Sequence, residues 1–285
     1  MTSIPIVDTH MHLWDPAHLS YAWLKEVQVL NRPFLLADYQ RAMDSHEVAK
    51  MVFVQCEAEQ DQYVQEAEWV TALAKEDPRI AAIVPWAPLE QGDAARDALV
   101  ALADNPLIKG IRRIIQFEDD PGFCLQADFV HGVQLLDVFD FHFEICIKGE
   151  KQFQAALELV RRCPNVRFIL DHLGKPNIGQ GEIEPWRKQI GELARMDNTW
   201  CKMSGLVVEA DMKHWTLADL QPYIDAAWEK FGPDRIMFGG DWPVVTQAAD
   251  LHEWISTLWT AMGGCSEEER RKLFHDNATS FYRLA

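Results

Sequence analysis

Two histidines near the start of the chain are the first residues whose types and spacing could do chemistry. Ile4-Pro5-Ile6-Val7-Asp8-Thr9-His10-Met11-His12 is apolar at 4, 6 and 7 with no helical period, so it reads as a short buried strand ending in His-x-His. Strand side chains alternate between faces, which puts His10 and His12 on the same one. Imidazole is the commonest ligand of borderline metals and the side chain that titrates nearest neutral pH, so a pair at a strand end suits a metal or proton-transfer site. A second constellation, Phe238-Gly239-Gly240-Asp241-Trp242-Pro243, lies towards the other end of the chain. Its glycines let backbone approach a site closely, and Trp-Pro fixes the exit of the chain.

The elements that must position these groups alternate regularly. After a long aromatic loop from Leu13 to Pro33 (Trp14, Tyr21, Trp23), the pattern predicts a helix from Ala37 to Val48, strand Lys50–Cys56 and helix Tyr63–Lys75. Strand Ile80–Trp86, helix Asp93–Ala103, strand Ile108–Ile114 and helix Ala127–Phe139 follow. Next come strand Phe141–Ile147, helix Lys151–Arg162, strand Val166–Asp171 and helix Glu184–Met196. Strand Thr199–Met203, helix Leu217–Phe231, strand Arg235–Gly239 and helix Leu251–Met262 complete about eight strand and helix pairs. Continuous apolar strands alternating with helices mean a parallel sheet, and about eight units close it into a (β/α)8 TIM barrel. A doubly wound open sheet is the other arrangement, but no Gly-x-Gly-x-x-Gly follows any strand. Ser266–Leu284 begins with a capping box and reads as an extra C-terminal helix packed outside the barrel.

Barrel chemistry sits at the C-terminal ends of the strands. In order these ends carry His10 and His12, Gln55 and Glu57, Trp86, Arg112 and Arg113, Glu144, Asp171 and His172, Lys202 and Ser204, and Asp241. Closure makes the first and last strands neighbours, so His10, His12 and Asp241 can share one metal ion or one water. Lys202, Glu144 and Asp171 could instead pair with one another as structural ions. Alternation turns Arg113 away from Arg112, and His142, at the start of its strand, reads as structural.

The 285 residues fit one domain spanning 1–285, with 48% hydrophobic and 25% charged residues supplying a sizeable core. A formal net charge of −17 argues against nucleic acid or an anionic membrane as partner. Met1-Thr2-Ser3-Ile4 has neither a basic nor an apolar leader segment, and no apolar run approaches the roughly 20 residues of a membrane span, so a cytoplasmic protein is expected. Six scattered cysteines without Cys-x-x-Cys spacing read as buried thiols. A homo-oligomer is compatible with the sequence.

Val7–Pro16, Ile108–Arg113, Leu170–Pro176, Cys201–Leu206 and Met237–Pro243 together resemble the amidohydrolase superfamily. Within it the chain is similar to the branch of sugar lactonases typified by fuconolactonase and, more distantly, pyrone dicarboxylate lactonase. The resemblance runs from residue 4 to Asn277-Ala278 and Phe281-Tyr282. It implies a (β/α)8 hydrolase that opens the ring of a sugar-acid (aldono) lactone with water, such as L-fucono-, L-rhamnono- or galactonolactone. Carried over by residue, Asp241 would be the general base, His172 with His10 and His12 would polarise the carbonyl or bind metal, and Arg112 would hold substrate. Trp14, Gln55 and Trp86 join Arg112 as expected substrate contacts, with Trp242 nearby, because sugar rings pack on indole faces. Many superfamily members place a metal-bridging Lys or Glu on strand four and a His on strand five, where this chain has Arg112 and Glu144 or Cys146. At most one divalent ion such as zinc, held by His10, His12 and Asp241, is therefore expected, and a metal-independent site is the alternative. A metal-dependent decarboxylase and a nonenzymatic sugar-binding protein are the competing readings.

Overall fold

The computed structural model describes residues 4–43 and 45–284. The reading of Met1-Thr2-Ser3 therefore lies outside the described residues. Eight strands, β1 (Ile6–Met11), β2 (Val48–Val54), β3 (Ile80–Val84), β4 (Gly110–Arg112), β5 (His142–Ile145), β6 (Phe168–Leu170), β7 (Thr199–Met203) and β8 (Ile236–Phe238), run parallel. The helices that follow them are α1 (Leu36–Ala42), α2 (Tyr63–Glu76), α3 (Arg96–Ala103), α4 (Ala127–Leu135), α5 (Glu150–Arg162) and α6 (Trp186–Leu193). A short α7 (Leu206–Glu209) and then α8 (Leu217–Phe231) follow β7, and α9 (Leu251–Ala261) follows β8.

Hydrogen bonding divides the strands into a three-stranded sheet, β1-β2-β3, and a five-stranded one, β4 to β8 in order. Two seams join them. Ile83 bridges Ile108 in parallel, and Arg112 N–H donates to the Pro85 carbonyl at 3.0 Å. At the other seam Met11 bridges Trp242, and Asp241 N–H donates to the His10 carbonyl at 2.7 Å. The eight strands thus follow one another around a ring, the (β/α)8 order expected from the sequence.

Packing explains why the helices form where they do. On α5, Phe153, Ala156, Leu157 and Val160 recur at i, i+3, i+4 and i+7, and all four are buried against the strands. Inside the ring, Val7, Val52, Val54, Ala82, Val84, Ile169 and Met237 make an apolar cluster. The C-terminal segment corrects an expectation. Instead of packing outside, α10 (Glu267–Arg271), a π-helical turn (Lys272–Asp276) and α11 (Asn277–Tyr282) bring Ala278, Phe281 and Tyr282 into that same inner cluster. The face this segment buries, Ala278, Phe281 and Tyr282, is largely apolar, and packing it on the inner cluster takes it out of water.

Other departures are at boundaries. The helix expected from Ala37 to Val48 is α1, which ends at Ala42; residue 44 is outside the described residues, and β2 already begins at Val48. Asp93–Ala103 starts with a 3₁₀ stretch (Leu89–Ala95) before α3, and Ala127–Phe139 ends in one (Leu136–Phe139) after α4. The strand ends expected at Trp86, Ile114 and Asp171 lie beyond β3, β4 and β6, where the chain has already left the ladder. Among the described residues no helix is long and apolar enough to cross a membrane.

Candidate active site

The polar strand ends meet at the floor of a cavity of about 210 Å³ whose lining includes His12, Arg112, Cys146, His172 and Asp241. At its centre Asp241 is ringed by three imidazoles. His12 Nε2 lies 3.7 Å and His10 Nε2 3.9 Å from Asp241 Oδ1, and His172 Nδ1 lies 3.9 Å from Oδ2. The His10 ring centroid is 4.8 Å from that of His12 and 4.4 Å from that of His172.

Backbone conformation aims these groups. Asp241 has φ 53°, and His172, Leu173, Gly174 and Lys175 are all left-handed, conformations that cost non-glycine residues and cluster where side chains are aimed at ligands. A Cβ on Gly205 would come 2.6 Å from His172 Nδ1 and 3.1 Å from Asp241 Oδ2, so only glycine leaves room for the pair. Gly240 N–H donates to Asp8 Oδ1 at 2.8 Å, Tyr39 OH donates to Asp8 Oδ2 at 2.9 Å, and a Cβ on Gly240 would collide with that carboxylate. Burial pushes the Asp8 carboxyl up to about 6 against these donors.

The histidines are kept neutral. Burial pulls the pKa of His10 and His172 well below the ordinary range, assisted by Lys202 beside His10 and by His10 beside His172; burial also lowers that of His12. His12 Nδ1 faces the Val54 carbonyl at 2.7 Å, so Nδ1 carries the proton and Nε2 presents a lone pair towards Asp241. Arg112 Nη1 contacts His10 Nε2 at 3.1 Å. Guanidinium only donates, so Nε2 accepts from it, while His10 Nδ1 lies between Asp171 Oδ1 at 3.4 Å and the Lys202 ammonium at 3.3 Å. His172 Nδ1 is 2.9 Å from Ser204 Oγ.

Below this layer is an ionic one. Lys202, fully buried, lies 2.6 Å from Glu144 Oε2, 3.3 Å from Asp171 Oδ1 and 3.3 Å from His10 Nδ1. Arg112 donates to Asp171 Oδ2 at 3.2 Å and to the Gln55 carbonyl at 2.5 Å. Although burial opposes its charge, the Asp171 carboxylate leaves the Arg112 pKa above its ordinary value. Lys202, Glu144 and Asp171 thus pair with one another, as the structural alternative foresaw, while Arg113 turns away to Glu90 and Glu118. His142 is buried at the bottom against Phe281 and Tyr282, 3.3 Å from Glu144 Oε1.

The expected substrate contacts divide. Arg112 and Trp14 line the cavity, although Trp14 is fully buried and its indole N–H is used by the Leu30 and Arg32 carbonyls. Gln55 and Trp86 are not among the lining residues: Gln55 bonds Glu57 from behind at 2.6 Å, and Trp86 packs on Tyr63. Trp242 packs on Phe34 and Tyr39 instead. Lys175, Gly205 and Phe117 line the cavity although the sequence did not single them out. Gly174-Lys175-Pro176, a turn signal that begins two residues after His172, was the available clue to Lys175.

The sequence matches a known family: its profile, described as amidohydrolase, fits residues 7–284. The chain belongs to the amidohydrolase family. An L-fucono-1,5-lactonase from Burkholderia multivorans is 32% identical over 291 residues, 98% of this chain and 96% of that one. An L-rhamnono-gamma-lactonase from Scheffersomyces stipitis is 25% identical over 338 residues, covering 100% of both. The crystal structure of an amidohydrolase from Burkholderia multivorans with bound zinc matches with a TM-score of 0.87 and 31% identity, over 99% of this chain and 100% of that one.

The residues of this amidohydrolase fit one metal ion. His10, His172 and Asp241 each offer a ligand atom within 4.8 Å of one another, as do Cys146, Asp171 and His172. His12 Nε2 and Asp241 Oδ1 are both acceptors, buried and 3.7 Å apart, an arrangement that calls for a cation or a water donor between them. The edge of a tetrahedral zinc site, at about 2.0–2.1 Å per ligand, is only slightly shorter.

Proposed function

We propose that this amidohydrolase opens the ring of a sugar-acid lactone by attack of a water molecule that Asp241 deprotonates. The observation that carries the reading is the acceptor pair His12 Nε2 and Asp241 Oδ1, 3.7 Å apart at the floor of a cavity wide enough for a small ring. A water between them gives one hydrogen to each and turns an oxygen lone pair to the cavity. The lactonase relatives supply the substrate class.

In the first step Asp241 takes a proton as the water oxygen bonds to the lactone carbonyl carbon. His172, tied by Nδ1 to Ser204, and the guanidinium of Arg112 are the cavity's donors for the oxygen that becomes negative. In the second, the bond to the ring oxygen breaks, and that oxygen takes the proton back from Asp241, giving the open hydroxy acid. His10, His12 and Asp241, with His172 beside them, would hold one divalent ion such as zinc. When bound, it would supply carbonyl polarisation and a more acidic water. The site is proposed for a neutral lactone, in the cytoplasm, a setting that suits the chain's free cysteines.

The test is a panel of aldonolactones assayed by acid release, with and without zinc, alongside metal analysis. Turnover of at least one of L-fucono-, L-rhamnono- or galactonolactone is expected, with no more than one divalent ion per chain. Folded, zinc-supplied protein inert to the whole panel would refute the lactonase reading, and two tightly held ions per chain would refute the single-ion site.

A further inference from the structure

His10 Nε2 is claimed twice. It is one of the nitrogens that would hold a metal, yet Arg112 Nη1 already donates to it at 3.1 Å. An imidazole nitrogen has one lone pair, so it cannot serve a guanidinium and a metal ion at once. The other ring nitrogen offers no escape: His10 Nδ1 faces Asp171 Oδ1 at 3.4 Å and Lys202 Nζ at 3.3 Å, deep in the ionic layer.

We propose that Arg112 and a divalent ion are alternative occupants of His10 Nε2, so that Arg112 sets how weakly the site holds metal. The arginine is built to occupy that place. It is buried, with Nη1 shared between His10 and Asp171 Oδ2 and Nη2 on the Gln55 carbonyl. Its Nε lacks a partner, so the side chain is held only through its two terminal nitrogens and can pivot away from His10 while keeping the Gln55 carbonyl. An ion on His10 also has to approach a guanidinium charge and the Lys202 ammonium, both buried where screening is weak. The strand-four arginine is therefore a built-in competitor of the metal as well as a candidate substrate contact. Without the arginine, His10 Nε2 would be free to join His12 and Asp241, with His172 beside them, around one ion.

The inference rests on the reading that this site takes one divalent ion, and it is tested by affinity rather than turnover. Metal-stripped wild type, Arg112→Met and Arg112→Lys are titrated with zinc against a chromophoric chelator, with circular dichroism to confirm folding. Both variants should bind zinc at least tenfold more tightly than wild type. Arg112→Lys keeps the charge opposite Asp171 and covers the case in which Arg112→Met does not fold. In the wild type, zinc should move the ¹⁵N signals of the Arg112 guanidinium and the His10 imidazole together, a readout that needs no variant. Unchanged or weaker zinc affinity in a folded variant, or a wild-type zinc complex in which the Arg112 signals stay put, overturns the competition alone. Zinc binding by none of the three proteins overturns the single-ion reading with it.

Discussion

Asp241 shows how much of the proposed chemistry depends on one carboxylate. Its backbone is fixed by the N–H bond to the His10 carbonyl, and its two oxygens face three neutral imidazoles. Asp241→Asn keeps that shape and removes the base, so kcat should fall by about 10²- to 10⁴-fold with KM little changed. A folded variant keeping more than about a tenth of wild-type kcat would be too active for a lost general base. Glu66, behind the cavity wall, permits a separate test of burial. It accepts a bond from Cys56 N–H at 3.1 Å, and burial pushes its carboxyl up to about 8. A folded-state pKa raised above the unfolded 4.5 means a stability contribution fully present below about 4.5 and lost as pH rises through about 8. Glu66→Gln imitates the protonated acid, so its unfolding free energy should gain on wild type between pH 5 and 8, by at most about 1.4 kcal/mol per pH unit. Urea melts that stay parallel over that range would show Glu66 ionises freely. At this scale the ionisable groups were legible because a charge ending a buried strand needs a reason. The aromatics were legible only in part: Trp14 lines the cavity and Trp86 does not, since residue type gives an indole its chemistry but not the direction it turns outside regular structure. The structure offers the cavity Phe117, 69% exposed, and Trp23.

Among the elements, the C-terminal helical segment has the least obvious task. Tyr282, fully buried, donates its hydroxyl to Glu144 Oε1 at 2.7 Å, so the last helix closes the ring from below and also holds one end of the ionic layer under the site. Tyr282→Phe keeps the ring and removes the bond to a charged acceptor, which is worth about 1.5–3 kcal/mol. The expected result is a loss of that order in urea unfolding, with kcat within about threefold of wild type, because Lys202 still holds Glu144 from the other side. A collapse of kcat in a stable Tyr282→Phe protein would instead tie the helix to the chemistry. The sequence revealed that this helix exists, through its capping box, but not where it packs. An amphipathic pattern says which face is buried and nothing about which surface buries it. The same limit explains the strands. β7 and α8 match their expected bounds, since each is delimited by a clear change of period, whereas β4, β6 and β8 are only three residues long. Their apolar runs continue into segments that leave the ladder to line the site.

Over the whole molecule, the formal charge of −17 acts differently on the two ends of the proposed reaction. A lactone is neutral and the aldonate it becomes is an anion, so the protein's field ignores the first and repels the second. The site does not reverse this balance. Arg112, Lys175 and Lys202 stand against Glu57, Glu144, Asp171 and Asp241, three formal cations facing four carboxylates. Raising ionic strength from about 0.01 M to about 0.1 M shortens the screening length from about 30 Å to about 10 Å, which removes most of the long-range repulsion. The kcat/KM for a neutral aldonolactone should then change by less than about twofold, a change that screening alone does not exceed for an uncharged ligand. Inhibition by the aldonate product should strengthen over the same range, its Ki falling as salt rises. A Ki that rises with salt would mean that Arg112 and Lys175 dominate the field the product feels. Product release would then be a pull away from two cations rather than a descent along the protein's own repulsion.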